Sequence, residues 1–108
     1  MRFEVLLTED AYRDLEDIYT YVAEHHSPGK ADALLIRVEA VIETLTTQPN
    51  RGAFPRELSA LGIHDYRQLF YKPYRIIYRV IEKRVYIYLI ADGRRDLQTL
   101  LTQRLLRS

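Results

Sequence analysis

The stretch KPYRIIYRVIEKRVYIYLIADGRRD, residues 72–96, holds the side chains with the clearest chemical potential. Arg75, Arg79, Arg84, Arg94 and Arg95 are interleaved there with Tyr74, Tyr78, Tyr86 and Tyr88. A guanidinium keeps its charge at any working pH and binds phosphate or carboxylate through a fork of N–H donors. Arg75 and Arg79 are four residues apart, which on a strand places them on one face roughly 13 Å from each other. Arg67 joins them from a neighbouring strand if the register allows, and Arg94 and Arg95 follow the last strand near a helix start. Such a set clamps the phosphates of a nucleic acid or anchors an acidic protein surface. The competing outcome for Arg75 and Arg79 is internal pairing with Asp and Glu of a helix hairpin in the first half of the chain.

Other chemistry has less to stand on. His25 and His26 are adjacent, so on a helix they point about 100° apart and do not share a metal. His64 stands alone, and the chain has no cysteine, hence no thiolate zinc site or disulfide framework. No serine or cysteine nucleophile motif and no phosphate-cradling glycine loop is present. Metal and cofactor are therefore expected to be absent.

The 108 residues suit one domain, residues 1–108, and the 47% hydrophobic and 29% charged content is that of a globular chain. No apolar run approaches the roughly 20 residues of a membrane span, and the N-terminus is too short for a signal segment, so a cytoplasmic location is expected. The net charge of +1 conceals a division. Residues 1–50 carry four basic and ten acidic side chains, and residues 51–108 carry twelve and five. Either the second half meets an anionic partner, or the halves attract each other across one fold.

The elements that must position these arginines are readable from periodicity. Residues 2–7 predict a short strand. Thr8 is a helix N-cap followed by Glu9 and Asp10, and Ala11, Leu15, Ile18 and Val22 form one stripe. Ser27-Pro28-Gly29 breaks that helix and starts another, striped by Ala31, Leu35, Val38, Ile42 and Leu45 and ending near Thr46. Residues 46–65, with two prolines and two glycines, read as irregular. Strands follow at 66–71, 74–81 and 85–91, joined by hairpin turns as an antiparallel meander. In the middle strand Tyr74, Ile76, Tyr78 and Val80 share one face, and Arg75, Ile77, Arg79 and Ile81 the other. Leu97, Leu100, Leu101 and Leu105 predict a closing helix docked on the sheet, with Arg104 and Arg107 outward. The fold class is α+β: a small antiparallel sheet with a helical hairpin on one face, in the order βααβββα.

Residues 14–52, DLEDIYTYVAEHHSPGKADALLIRVEAVIETLTTQPNRG, resemble the helix hairpin of the RelE/ParE superfamily, toxins of type II toxin–antitoxin systems. YRQLFYKPYRIIYRVIEKRVYIYLIADGRRD, residues 66–96, resembles the sheet of the ParE branch. The most specific elements are Y-R-I-I-Y-R-V, the Arg-Arg-Asp after the last strand and the P-x-x-G at residues 49–52. The resemblance implies a cognate antitoxin, ParD-like with a ribbon–helix–helix N-terminus, held in a hetero-oligomer, and contact with DNA only through it. It also implies growth inhibition and a part in plasmid stabilisation. RelE-type members cut mRNA on the ribosome, whereas ParE-type members inhibit DNA gyrase and are not known as enzymes. Arg75 and Arg95 match two arginines of the nuclease type. Its further lysine falls near Leu69 and its tyrosine near Leu101, and neither leucine moves a proton. Gyrase inhibition by protein binding is thus the expected function. The alternatives are the ribosome-dependent endonuclease and a non-toxic homologue that only binds its antitoxin. The candidate target contacts are Arg94, Arg95, Arg75, Arg79, Arg67 and Tyr74. ParE-like sequences often carry histidine before Gly-Arg-Arg-Asp, where this chain has Asp92.

Overall fold

Local signals set both long helices. The Thr8 hydroxyl accepts from the Ala11 N–H at 3.1 Å and opens helix α1, Glu9–His25, with two acids in its first turn. The Ser27 hydroxyl accepts from the Lys30 N–H at 3.1 Å and opens α2, Pro28–Glu43, which has proline at its start. A 3₁₀ turn, Thr44–Thr46, finishes the hairpin. The computed structural model describes residues 2–106.

Strand β1 is Glu4–Leu7, and β2, Arg67–Tyr71, β3, Tyr74–Ile81, and β4, Arg84–Asp92, follow the hairpin. Helix α4, Leu97–Leu106, closes the chain. The sheet order is β1-β4-β3-β2. The expected meander of β2, β3 and β4 is antiparallel, but β1 pairs with β4 in parallel, from Glu4↔Arg84 to Leu7↔Ile87, so the sheet is mixed. A parallel neighbour needs a connection of a dozen or more residues, and everything from α1 to β3 lies between β1 and β4.

The alternation expected along β3 holds. Ile76 and Tyr78 join Ala11, Leu15, Val38, Ile42 and Leu45 in a core under the helical hairpin. Ile77 faces the opposite way, into a second core with Leu89, Ala91, Leu97 and Leu101. Between these faces β4 carries an irregularity: Ile77 pairs with Leu89 and Tyr78 with Ile87, leaving Tyr88 as the extra residue. This lets Ile87 and Ile90, three apart, both reach the hairpin core. The stretch expected to be irregular contains one helical turn, α3, Arg56–Ser59, which adds Leu58 to the second core. Four residues are too few to show helical periodicity. Among the described residues no helix is long and apolar enough to cross a membrane.

Tyr78 ties the sheet to the P-x-x-G loop. Fully buried, its hydroxyl donates to the Pro49 carbonyl at 2.8 Å and accepts from the Gly52 N–H at 2.9 Å. A Cβ on residue 52 would lie 2.6 Å from both the Gln68 carbonyl oxygen and the Tyr78 hydroxyl, so only glycine fits. Tyr78→Phe strands a buried donor and a buried acceptor. It should lower stability by about 1–3 kcal/mol in a urea melt without shifting the helical circular dichroism of the native state.

Candidate functional site

The six candidate side chains separate into distinct environments. Arg75 lies on the face of β3 away from the hairpin and is only 8% exposed. Its terminal nitrogens make a bidentate pair with Glu57 of α3, at 2.8 and 2.9 Å, and its Nε donates to Gln68 Oε1 of β2 at 2.8 Å. The Arg75 guanidinium holds the Glu57 carboxyl down at about 2, well below the usual 4.5, although burial pushes the other way. A guanidinium paired on both edges has little left for an external anion. The acid comes from the short helix in the connecting stretch, not from the hairpin.

Arg67 is also engaged. One terminal nitrogen donates to the Gly52 carbonyl at 2.8 Å and to that of Asn50 at 3.2 Å, and the guanidinium lies 4.5 Å from the centre of the Phe54 ring. The Arg79 guanidinium sits 5.6 Å from the centre of the Tyr66 ring, and the side chain has no hydrogen-bond or ion-pair partner among the described residues. Despite their shared face, Arg75 and Arg79 serve different surroundings.

The remaining candidates gather where β4 outruns β1. The Thr8 N–H still reaches the Ile87 carbonyl at 3.0 Å, and beyond it the outer edge of β4 has no strand partner among the described residues. Two side chains occupy that edge: Asp14 accepts from the Ile90 N–H at 3.0 Å, and Arg104 donates to the Tyr88 carbonyl at 2.7 Å. They also pair with each other at 2.9 and 3.1 Å. Arg104 is thus mostly buried, contrary to the outward position expected for it, because an unpaired strand edge draws in a donor and an acceptor. Arg107 lies outside the described residues. Sequence reasoning missed Asp14 and Arg104, yet each follows an apolar stripe: Asp14 is three residues after Ala11, and Arg104 three after Leu101.

Next to this capped edge lies an open cleft of about 440 Å³. Asp17, Ile18 and Tyr21 of α1 form one wall, and Tyr74 with residues 90–92 the other, while Arg94 and Arg95 stand at the rim. Tyr74 is half-buried, and desolvation, reinforced by Asp92, raises its hydroxyl above the usual range. Asp92 accepts from Arg94 three times, from its N–H at 2.9 Å, Nε at 3.0 Å and Nη2 at 2.7 Å. The Arg94 guanidinium holds the Asp92 carboxyl at about 2. The exposed Arg95 side chain, by contrast, has no hydrogen-bond or ion-pair partner among the described residues.

His25 Nδ1 lies 2.9 Å from the Tyr21 carbonyl, and its ring stacks on that of Tyr21. No group of three or more His, Cys, Asp or Glu side chains is placed to hold a metal among the described residues. Leu69 is 6% exposed and Leu101 1%, and they belong to the two cores on opposite faces of the sheet.

The Arg75–Glu57 pair has a defined pH signature. A carboxyl depressed in the folded state adds stability that is complete above its unfolded value, near 4.5, and is lost as pH falls toward about 2. Glu57→Gln should therefore be less stable than the parent at pH 7, with the gap narrowing from pH 4.5 downward, as read in urea melts across that range. Asp92 titrates in the same window in both proteins and cancels from the difference.

Comparison with known proteins gives the geometry its context. Residues 5–97 match the family described as "ParE toxin of type II toxin-antitoxin system, parDE". Toxin ParE3 of Caulobacter vibrioides is 31% identical over 93 residues, covering 86% of this chain and 89% of that protein. The chromosomal ParDE toxin–antitoxin system from P. aeruginosa contains a chain that superposes with a TM-score of 0.71 at 22% identity, covering 84% of this chain and 96% of that one. A chain of the toxin–antitoxin complex RelBE2 from Mycobacterium tuberculosis superposes with a TM-score of 0.58 at 22% identity, covering 85% and 99%. The mixed sheet under a helical hairpin is the fold these chains share, and the match over nearly the whole length places this chain in the ParE toxin family of type II toxin–antitoxin systems.

Proposed function

We propose that this toxin inhibits DNA gyrase by binding it, and that a cognate ParD-like antitoxin neutralises it in a cytoplasmic hetero-oligomer. The observation that carries the reading is the state of the arginines. Arg75, matched to a nuclease-type arginine, is locked to Glu57 and Gln68. The positions matched to a proton-transferring tyrosine and a lysine are the core residues Leu101 and Leu69. General acid–base cleavage needs a titratable group within hydrogen-bond reach of substrate, and this arrangement offers none at those positions. What the rim of the cleft offers is a free guanidinium, Arg95, beside a tethered one, Arg94, with Tyr21 and Tyr74 behind them. Arginine and tyrosine are the residues that most often anchor protein interfaces.

The antitoxin reading draws on the ParDE and RelBE2 assemblies in which the structural neighbours were found. Toxicity then depends on Arg95 more than on Arg94, because the Arg94 guanidinium must give up two bonds to Asp92 before it anchors anything else. Arg95→Ala should cost about 2 kcal/mol of target binding, roughly thirtyfold, and relieve growth arrest on induction, with Arg94→Ala the milder change. A supercoiling assay with purified gyrase, beside primer extension on cellular mRNA, reads the target. Full toxicity of a folded Arg94→Ala/Arg95→Ala protein would move the poison's surface elsewhere, and codon-positioned mRNA cuts would replace gyrase by the ribosome.

A further inference from the structure

At the opposite end of β3 from the Arg94–Arg95 rim lies a second polar cleft, of about 240 Å³. Tyr74 lines the first cleft and Val80 the second, six residues apart on one strand, or about 20 Å. The second cleft exists because the two strands end unequally. Strand β2 begins at Arg67 opposite Tyr78, so β3 runs on through Arg79, Val80 and Ile81 without it. Tyr78 pairs toward β2, and by the alternation of the strand Val80 directs its N–H to the same, vacated side. Arg67 and Arg79 reach the space from two strands, and Asn50, His64 and Asp65 close it from the loops.

We propose that this cleft binds a phosphoryl oxyanion, either a phosphate monoester or a backbone phosphate of a nucleic acid. Both arginines are steadied by aromatic rings, Arg67 by Phe54 and Arg79 by Tyr66. The Phe54 ring is further fixed edge-on to His64, 5.1 Å between centres. Steadied side chains lose less freedom on binding. Arg67 has one terminal nitrogen committed to the loop carbonyls, which leaves the rest of its fork, and the Arg79 fork is uncommitted among the described residues. The imidazole of His64 has a ring N–H in either tautomer, and the Asn50 amide offers another donor if its side chain turns inward. Donors arriving from β2, β3 and two loops suit a tetrahedral anion better than a planar carboxylate, which one guanidinium fork already satisfies. Asp65 is the opposing charge. Its carboxylate on the same wall repels any anion, so it limits affinity and is the natural place to raise it.

The site does not depend on the gyrase reading, since it shares no residue with the Arg94–Arg95 cleft. The test is an NMR titration of the full chain, following backbone amides and arginine Nε–H groups at constant ionic strength. Sodium phosphate should produce saturable shifts at residues 64–67, 79 and 80, and sodium acetate should not. Arg79→Gln should weaken phosphate roughly tenfold or more, and Asp65→Asn should tighten it severalfold. The Arg79 side chain makes no internal hydrogen bond among the described residues, so an unchanged spectrum elsewhere verifies the fold. Thymidine 5′-monophosphate and an oligothymidylate lacking terminal phosphate separate the sources: the first alone indicates a monoester site, and both together a site that accepts a nucleic-acid backbone. Unsaturable shifts with phosphate, equal shifts with acetate, or undiminished binding by Arg79→Gln would each overturn the assignment.

Discussion

The Tyr78 hydroxyl is the point on which the rest of this molecule is hung. Held in the middle strand between two cores, it reaches past the helical hairpin to bond Pro49 and Gly52 at the hairpin's exit. With residue 52 fixed, the Ala53 N–H and carbonyl form their two bonds with Gln68, at 3.1 and 2.7 Å, and cover part of the outer edge of β2. The chain then enters α3 at the one place from which Glu57 meets Arg75. The P-x-x-G segment is therefore the hinge between the two halves of the sequence. Arg67 reinforces it from the side by bonding the carbonyls of Asn50 and Gly52.

Part of the charge in this fold is spent before any partner arrives. Among the described residues, ion pairs join the acidic first half to the basic second half: Arg84 to Glu4, Arg104 to Asp14 and Arg104 to Asp10. The Arg84–Glu4 pair is exposed and adds little, whereas Arg104 is mostly buried and seals a strand edge that would otherwise invite pairing with another chain. The second alternative suggested by the charge division is thus present. The halves attract each other, and an uneven residue of cation is left at two separate ends of β3. A count of arginines overstates the surface available to an anion. The useful quantity is the number of guanidinium donors left after the internal acceptors are satisfied.

The two hairpin helices, the closing helix, the meander and the two faces of β3 were legible in the sequence, because caps and hydrophobic periodicity are local and repeat over many residues. Thr8, Ser27 and the stripes beginning at Ala11 and Ala31 each act within a turn or two of the backbone. The resemblance in Y-R-I-I-Y-R-V and Arg-Arg-Asp likewise reached the family without coordinates. Tertiary structure alone decided the parallel placement of β1, the one-turn helix α3, and which arginines are free. Arg75 and Arg79 look equivalent on paper, four residues apart on one face, yet only Arg75 lies under the segment that carries Glu57. The partner is 18 residues away through a turn too short to leave a periodic signal, and Asp14 meets Arg104 across 90 residues. Sequence spacing sets which face a side chain takes, but the acid it meets there depends on how distant segments pack, and that pairing determines whether an arginine holds the fold or awaits a ligand.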